Sequence, residues 1–176
     1  ECFVTPRSIP LARPNITQAE IDAVVAVLQT PHLSLGPKVP EFESDFARFC
    51  RTRHAIACTS GTTGLHLIVR AMGIGEGDEV ITTPFSFVAS ANCVLIEGAK
   101  PVFVDIEADT WNIDPRRIEA AITPRTKAIL PVDVFGQIAD MDAIREIARR
   151  HNLRVIEDSC ESLGSRYRGR PAGSLG

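Results

Sequence analysis

No apolar run in this chain approaches the ~20 residues that a membrane-spanning helix requires. Its first residues also lack the charged region and apolar stretch of a secretory signal. Together these absences predict a cytoplasmic protein with no membrane partner. Lys and Arg are scattered and the formal charge is −3, so there is no basic stripe of the kind nucleic acid needs. The five cysteines (Cys2, Cys50, Cys58, Cys93 and Cys160) are odd in number and far apart, with no C-x-x-C pair. No histidine stands near them at ligand spacing, which excludes a disulfide framework and predicts no metal site. Four of them read as reduced filler, and Cys160 is left open because of its acidic neighbours. There are no repeats or low-complexity tracts, and the twelve Gly and twelve Pro punctuate the chain without forming a linker.

What is present is periodic. With 176 residues, 44% hydrophobic and 23% charged, the chain can bury one sizeable core. Thr17 and Glu20 form a capping-box pair ahead of Ile21, Val24, Val25 and Leu28, which share one face of a helix. A second helix is expected after Pro40, with Phe42, Phe46 and Phe49 at helical spacing. From residue 54 short apolar runs alternate with helical patterns. Strands are expected at 55–58, 79–83, 101–105, 127–132 and 154–158, separated by helices over 62–72, 88–97, near 115–122 and near 140–150. Strand–helix alternation of this kind predicts an α/β fold, a three-layer α/β/α arrangement around a mostly parallel sheet. Ligands of such sheets sit beyond the carboxyl ends of the strands.

That rule singles out three places. Thr59-Ser60-Gly61-Thr62-Thr63-Gly64 lies between a strand and a helix, where free N–H groups and the helix dipole favour an anion; an ordinary Ser/Thr cap would use the same residues. Phe85-Ser86-Phe87 leaves the sheet just after Pro84, where an aromatic ring could stack on a flat heterocycle or simply pack into the core. Glu157-Asp158-Ser159-Cys160-Glu161 follows an apolar strand, and acids so close to a core need a partner, either a cationic group or the N–H groups of the next turn. Two other phosphate signatures are absent. There is no G-K-[ST], and Gly73-Ile74-Gly75-Glu76-Gly77 follows a helix where the dinucleotide fingerprint would follow a strand, so it reads as a turn. Taken together, an anion cradle, a stacking aromatic and a carboxylate at neighbouring strand ends match the phosphate, ring and ring nitrogen of pyridoxal phosphate.

The residues that carry a resemblance run almost the whole length of the chain: IPLARPNIT, LGPKVPEFE, SGTTGLHL, GEGDEVITTPFSFVAS, GAKPVFVDIE, ITPRTKAILPVDVFGQIADMDAI and VIEDSCESLGSRYRGRPAGSLG. In this order and spacing the chain resembles the DegT/StrS-type aminotransferases, pyridoxal-phosphate enzymes that act on nucleotide-linked keto-sugars and adopt the aspartate-aminotransferase-like fold. The resemblance implies the large domain of a fold-type-I enzyme, incomplete at its C-terminus. It divides the chain into a helical segment with a substrate-side loop over residues 1–50 and a cofactor-binding domain over 51–176.

By the same resemblance Gly61, Thr62 and Thr63 bind the cofactor phosphate, Phe87 stacks over the pyridine ring and Asp158 pairs with its nitrogen. Glu161 stands where the family usually has a glutamine that reaches the phenolic oxygen; an acid does this favourably only if one partner carries the proton. The loop from Thr30 to Gly36 resembles the family's segment facing substrate at a dimer-related site, with Pro31-His32 in place of the common Gly-Trp. His32 reads as loop surface, while His54, His66 and His151 have no charge partner nearby in sequence. The implied function is transfer of an amino group, from glutamate or glutamine, to a keto-sugar nucleotide in sugar, polysaccharide or secondary-metabolite biosynthesis by a homodimer. The Schiff-base lysine of such enzymes is expected beyond Gly176, since Lys38, Lys100 and Lys127 match no part of its motif, so the chain alone is expected to be inactive. A histidine at that position would instead indicate the related sugar dehydratases. The reading from another class is a non-catalytic module that binds a phosphorylated ligand or dimerises.

Overall fold

The computed structural model describes residue 10 and residues 12–176; Cys2 and most of the IPL stretch lie outside the described residues. The chain forms two compact units, one ending at Glu41 and the other covering Phe42–Gly176.

In the first unit, α1 (Gln18–Leu28) starts at Thr17 with the anticipated capping box, the Thr17 N–H donating to Glu20 Oε2 at 2.6 Å. Local sequence is enough to form this helix, but none of its residues is buried. The face carrying Ile21, Val24, Val25 and Leu28 is open to solvent. A second helix, α2 (Lys38–Cys50), begins two residues earlier than the position of Pro40 suggests. Proline is tolerated in a first turn because the N–H it lacks has no helical acceptor there.

The second unit is built on a four-stranded parallel sheet. Its strands are β1 (Glu79–Thr82), β2 (Lys100–Phe103), β3 (Thr126–Ile129) and β4 (Arg154–Val155), in the order β2-β1-β3-β4. Four helices accompany them: α3 (Gly61–Ala71), α4 (Ala89–Ile96), α5 (Pro115–Ala121) and α6 (Met141–His151). Side-chain alternation sends neighbouring strand residues to opposite faces. Val80 and Ala128 join Leu65, Val69, Cys93 and Val94 from α3 and α4, whereas Ile81 and Ile129 join Ile118, Met141, Ile144 and Ile147 from α5 and α6. The three-layer arrangement follows directly. Among the described residues, no helix is long and apolar enough to cross a membrane.

One expected strand is absent. Residues 55–58 form no ladder, Ile56 is 82% exposed, and the Ala57 N–H donates to the Glu43 carboxylate at 2.8 Å. A strand needs a neighbouring backbone to pair with, and among the described residues none pairs with this segment. The turn at Arg168 and Gly169, both at positive φ, closes a small antiparallel hairpin of β5 (Arg166–Tyr167) and β6 (Arg170–Pro171) that the alternation of strands and helices did not anticipate.

The crossovers locate the ligand end. The connection leaving β1 runs through α4 on one face of the sheet, and that leaving the adjacent β3 runs through α6 on the other. Connections that part to opposite faces leave a crevice at the carboxyl ends of the two strands.

Candidate functional site

That crevice is a cavity of about 380 Å³. Its lining includes Phe85 and Phe87 from the segment after β1, Val132 and Phe135 after β3, and Asp158, Cys160 and Glu161 after β4. Three of the sequence-derived candidates, Phe87, Asp158 and Glu161, therefore share one space.

Asp158 is 5% exposed, and its carboxylate is held by short-range chemistry. Oδ2 accepts from the Ser90 hydroxyl at 2.8 Å, with Ser86 Oγ a further 2.8 Å from Ser90 Oγ, and Oδ1 accepts from the Cys160 N–H at 3.3 Å. The adjacent acid has a different task. Glu157 accepts from the N–H groups of Gly173, Leu175 and Gly176 at 2.8, 2.7 and 3.0 Å, which ties down the 173–176 segment. Residue type alone left both acids available and the resemblance chose Asp158; the register at β4, extended by a parallel bridge between Val132 and Asp158, turns Asp158 to the cavity.

Phe87 is 75% exposed, so it does not serve the core. Phe85 does, packing against the α3/α4 side of the sheet. Glu161 makes a contact not foreseen from the sequence: its Oε2 accepts from the Phe135 N–H at 2.7 Å. The Cys160 thiol is pushed up to about 12, first by burial and then by its hydrogen bond to, and the charge of, Asp158, so it stays protonated and is no nucleophile at neutral pH.

Gly61, Thr62 and Thr63 do not line this cavity, yet they stand beside it. A Cβ on Gly61 would lie 2.5 Å from Cys160 Sγ, so the start of α3 presses against the segment that carries Asp158. Ser60 caps the helix, its Oγ accepting from the Thr63 N–H at 3.1 Å, and Thr63 Oγ1 lies 3.0 Å from Ser60 Oγ and 3.1 Å from Thr59 Oγ1. The cap satisfies one of the free helix donors. The Gly61 and Thr62 N–H groups have no acceptor among the described residues. The cap and the anion cradle are thus compatible, since they use different donors.

Sequence reasoning missed the residues that hold these segments together. Asp133, fully buried, accepts from Ser162 Oγ at 2.7 Å and the Ala139 N–H at 3.1 Å, and donates its own N–H to the Asp158 carbonyl at 3.0 Å. Burial, above all, pushes its carboxyl up to about 6. His66 pairs with Glu97, and His151 lies 2.9 Å from Glu119; these partners are far away in sequence, and none of the four residues lines the cavity.

Fold and site together define a class: an α/β protein whose parallel sheet carries a ligand cavity at the switch point between β1 and β3, flanked by a helix N-terminus. The chain belongs to the DegT/DnrJ/EryC1/StrS aminotransferase family, whose pattern matches residues 14–176. It is 53% identical over 169 residues to GDP-perosamine synthase of Caulobacter vibrioides, covering 96% of this chain and 46% of that protein. Among solved structures, DesV of S. venezuelae in complex with a ketimine intermediate matches with a TM-score of 0.86 at 47% identity, covering 89% of this chain and 42% of that one. NtdA of Bacillus subtilis with bound cofactor PMP matches with a TM-score of 0.84 at 42% identity, covering 89% and 37%. The chain thus spans less than half the length of each.

Proposed function

We propose that this chain is the cofactor-binding part of a pyridoxal-phosphate-dependent aminotransferase that transfers an amino group from glutamate or glutamine to a keto-sugar nucleotide. The observation that carries the reading is the buried Asp158 carboxylate, fixed by Ser90 and the Cys160 N–H and turned into the switch-point cavity. A carboxylate in that setting is costly unless a cationic partner faces it. A protonated ring nitrogen is such a partner.

The residues present fit the cofactor. When bound, pyridoxal phosphate supplies an electron sink for charge developing beside the amino nitrogen. Asp158 would hold the proton on the ring nitrogen, and the Ser86–Ser90 hydroxyl pair keeps its carboxylate in place. Phe87, exposed at the cavity, would cover one face of the ring and exclude water. The Gly61 and Thr62 N–H groups, with Thr63, would receive the phosphate at the positive end of α3. Glu161 would reach the phenolic oxygen with the carboxylate oxygen that Phe135 leaves free.

The amine is supplied from outside these residues. Lys100 pairs with Glu79 at 3.9 Å and Lys127 with Asp78 at 3.6 Å, both at the amino ends of the strands, and neither lines the cavity. Residues 1–50 would act as the helical and substrate-side segment, and 51–176 as the cofactor domain. A cytoplasmic homodimer completes the reading; free Cys50, Cys58, Cys93 and Cys160 fit a reducing compartment, and the exposed apolar face of α1 fits a surface covered by a second subunit.

Titration of the 176-residue chain with pyridoxal phosphate, followed by absorbance and equilibrium dialysis, tests this. Binding is expected to weaken about 10- to 100-fold in Asp158→Asn, the worth of a hydrogen bond between charged groups. Borohydride is expected to fix no cofactor onto the chain. Unchanged affinity in the variant, or attachment to Lys38, Lys100 or Lys127, would overturn the assignment.

A further inference from the structure

Two bulky residues near the cavity have left-handed backbones, Trp111 at φ 63° and Phe135 at φ 53°. Such a conformation costs a large side chain energy and persists only where surrounding bonds over-determine it. Here they do. Trp111 sits in a turn in which its N–H donates to the Glu107 carbonyl at 3.0 Å and the Glu107 N–H to the Asn112 carbonyl at 2.9 Å. The buried Asn112 amide then bridges to the other turn, accepting from the Val134 N–H and donating to the Gln137 carbonyl, each at 3.0 Å. Glu161 holds the Phe135 N–H itself.

The result is a cluster of three rings. Phe85 and Trp111 lie 5.2 Å apart at 71°, Phe85 and Phe135 6.1 Å apart at 81°, and Trp111 and Phe135 6.1 Å apart at 55°. Burial does not explain it, because Phe135 is 75% and Trp111 48% exposed. Two strained aromatics are therefore held in water by a shared set of hydrogen bonds: Phe135 lines the cavity that contains Asp158 and Glu161, and Trp111 packs against Phe135 and Phe85, which lines it too.

We propose that Phe85, Trp111 and Phe135 form the subsite for the sugar ring of the substrate, with the nucleotide lying outside it. This rests on the aminotransferase reading above. The steep angles between the rings make a corner, not a plate or a slot. A flat base could lie on only one of the rings, whereas a pyranose presents C–H groups in several directions to the electron-rich ring faces. Glu161 joins the wall to the position assigned to the cofactor's phenolic oxygen, next to which the reacting sugar carbon must come.

Trp111 is the only tryptophan of the chain, so its emission reports directly on the wall. With pyridoxal phosphate present, GDP-mannose and UDP-N-acetylglucosamine are the probes, and GDP and UDP the controls. The sugar nucleotides are expected to change Trp111 emission and the free nucleotides not to. Phe135→Gly is expected to melt no lower than the parent, since glycine adopts positive φ without strain. It should nevertheless weaken sugar-nucleotide binding about 2- to 10-fold, with Phe135→Leu weakened similarly and pyridoxal phosphate absorbance unchanged in both. A response to GDP or UDP equal to that of the sugar nucleotides overturns the proposal, as does no response to any probe or an early-melting Phe135→Gly. Failure of the parent chain to bind pyridoxal phosphate would strike the aminotransferase reading instead, and the fluorescence outcome separates the two.

Discussion

The two ends of the candidate site are built in opposite ways. At the start of α3, Thr59, Ser60 and Thr63 interact within four residues of one another, and helix geometry alone brings them together. At the other end, Asp158, Ser90, Asp133, Ser162, Asn112, Phe135 and Glu161 come from separate connections of the sheet, bonded across gaps of 22 to 68 residues. The first end can form with its helix. The second exists only once the sheet has assembled, so the long-range end should respond most strongly to single substitutions.

Asn112→Ala should have the largest effect. It leaves the buried Val134 N–H and the Gln137 carbonyl without their partner, which costs about 3 kcal/mol in urea unfolding. A loss no larger than that of a surface substitution would break the comparison.

Asp133→Asn should show its effect as a function of pH. The carboxyl's ordinary value is 3.8 and burial pushes it up to about 6, so the folded state binds a proton that the unfolded chain has released. The stability this group contributes is fully present below about pH 4 and is lost as pH rises through about 6, by at most about 3 kcal/mol. Unfolding of the parent measured from pH 4 to 7 should carry this slope, and the Asn variant should lack it. Parallel curves would show that Asp133 does not titrate in this window.

Gly61→Ala probes a place where the two ends touch. Its Cβ would meet Cys160 Sγ at 2.5 Å, an overpacking worth about 2 kcal/mol. Adding Cys160→Ala should restore most of that, and a double-mutant cycle measures the coupling. Ser60→Ala, which removes only the cap on Thr63, should have the smallest effect, about 1 kcal/mol in the thermal melt.

Much of the fold was legible. Four of the five expected strands and all six helices lie close to their predicted places, because a hydrophobic period is a property of neighbours in sequence. Residues 55–58 show the limit of that logic. They have the composition of a strand, but pairing depends on what lies alongside, and composition carries no record of that. The helix α1 shows the same limit in burial: its capping box and apolar stripe were readable, yet the stripe meets nothing within its own unit.

By itself the sequence determined all six helices, four of the strands and their alternation, since each depends on residues close together in the chain. Only the tertiary structure decided that Glu157 ties down the 173–176 segment, that Glu161 holds the Phe135 N–H, and that Asn112 braces two strained aromatics. Strand register and positive φ values settled these points. Both arise from bonds between segments far apart in the chain, which no local pattern encodes.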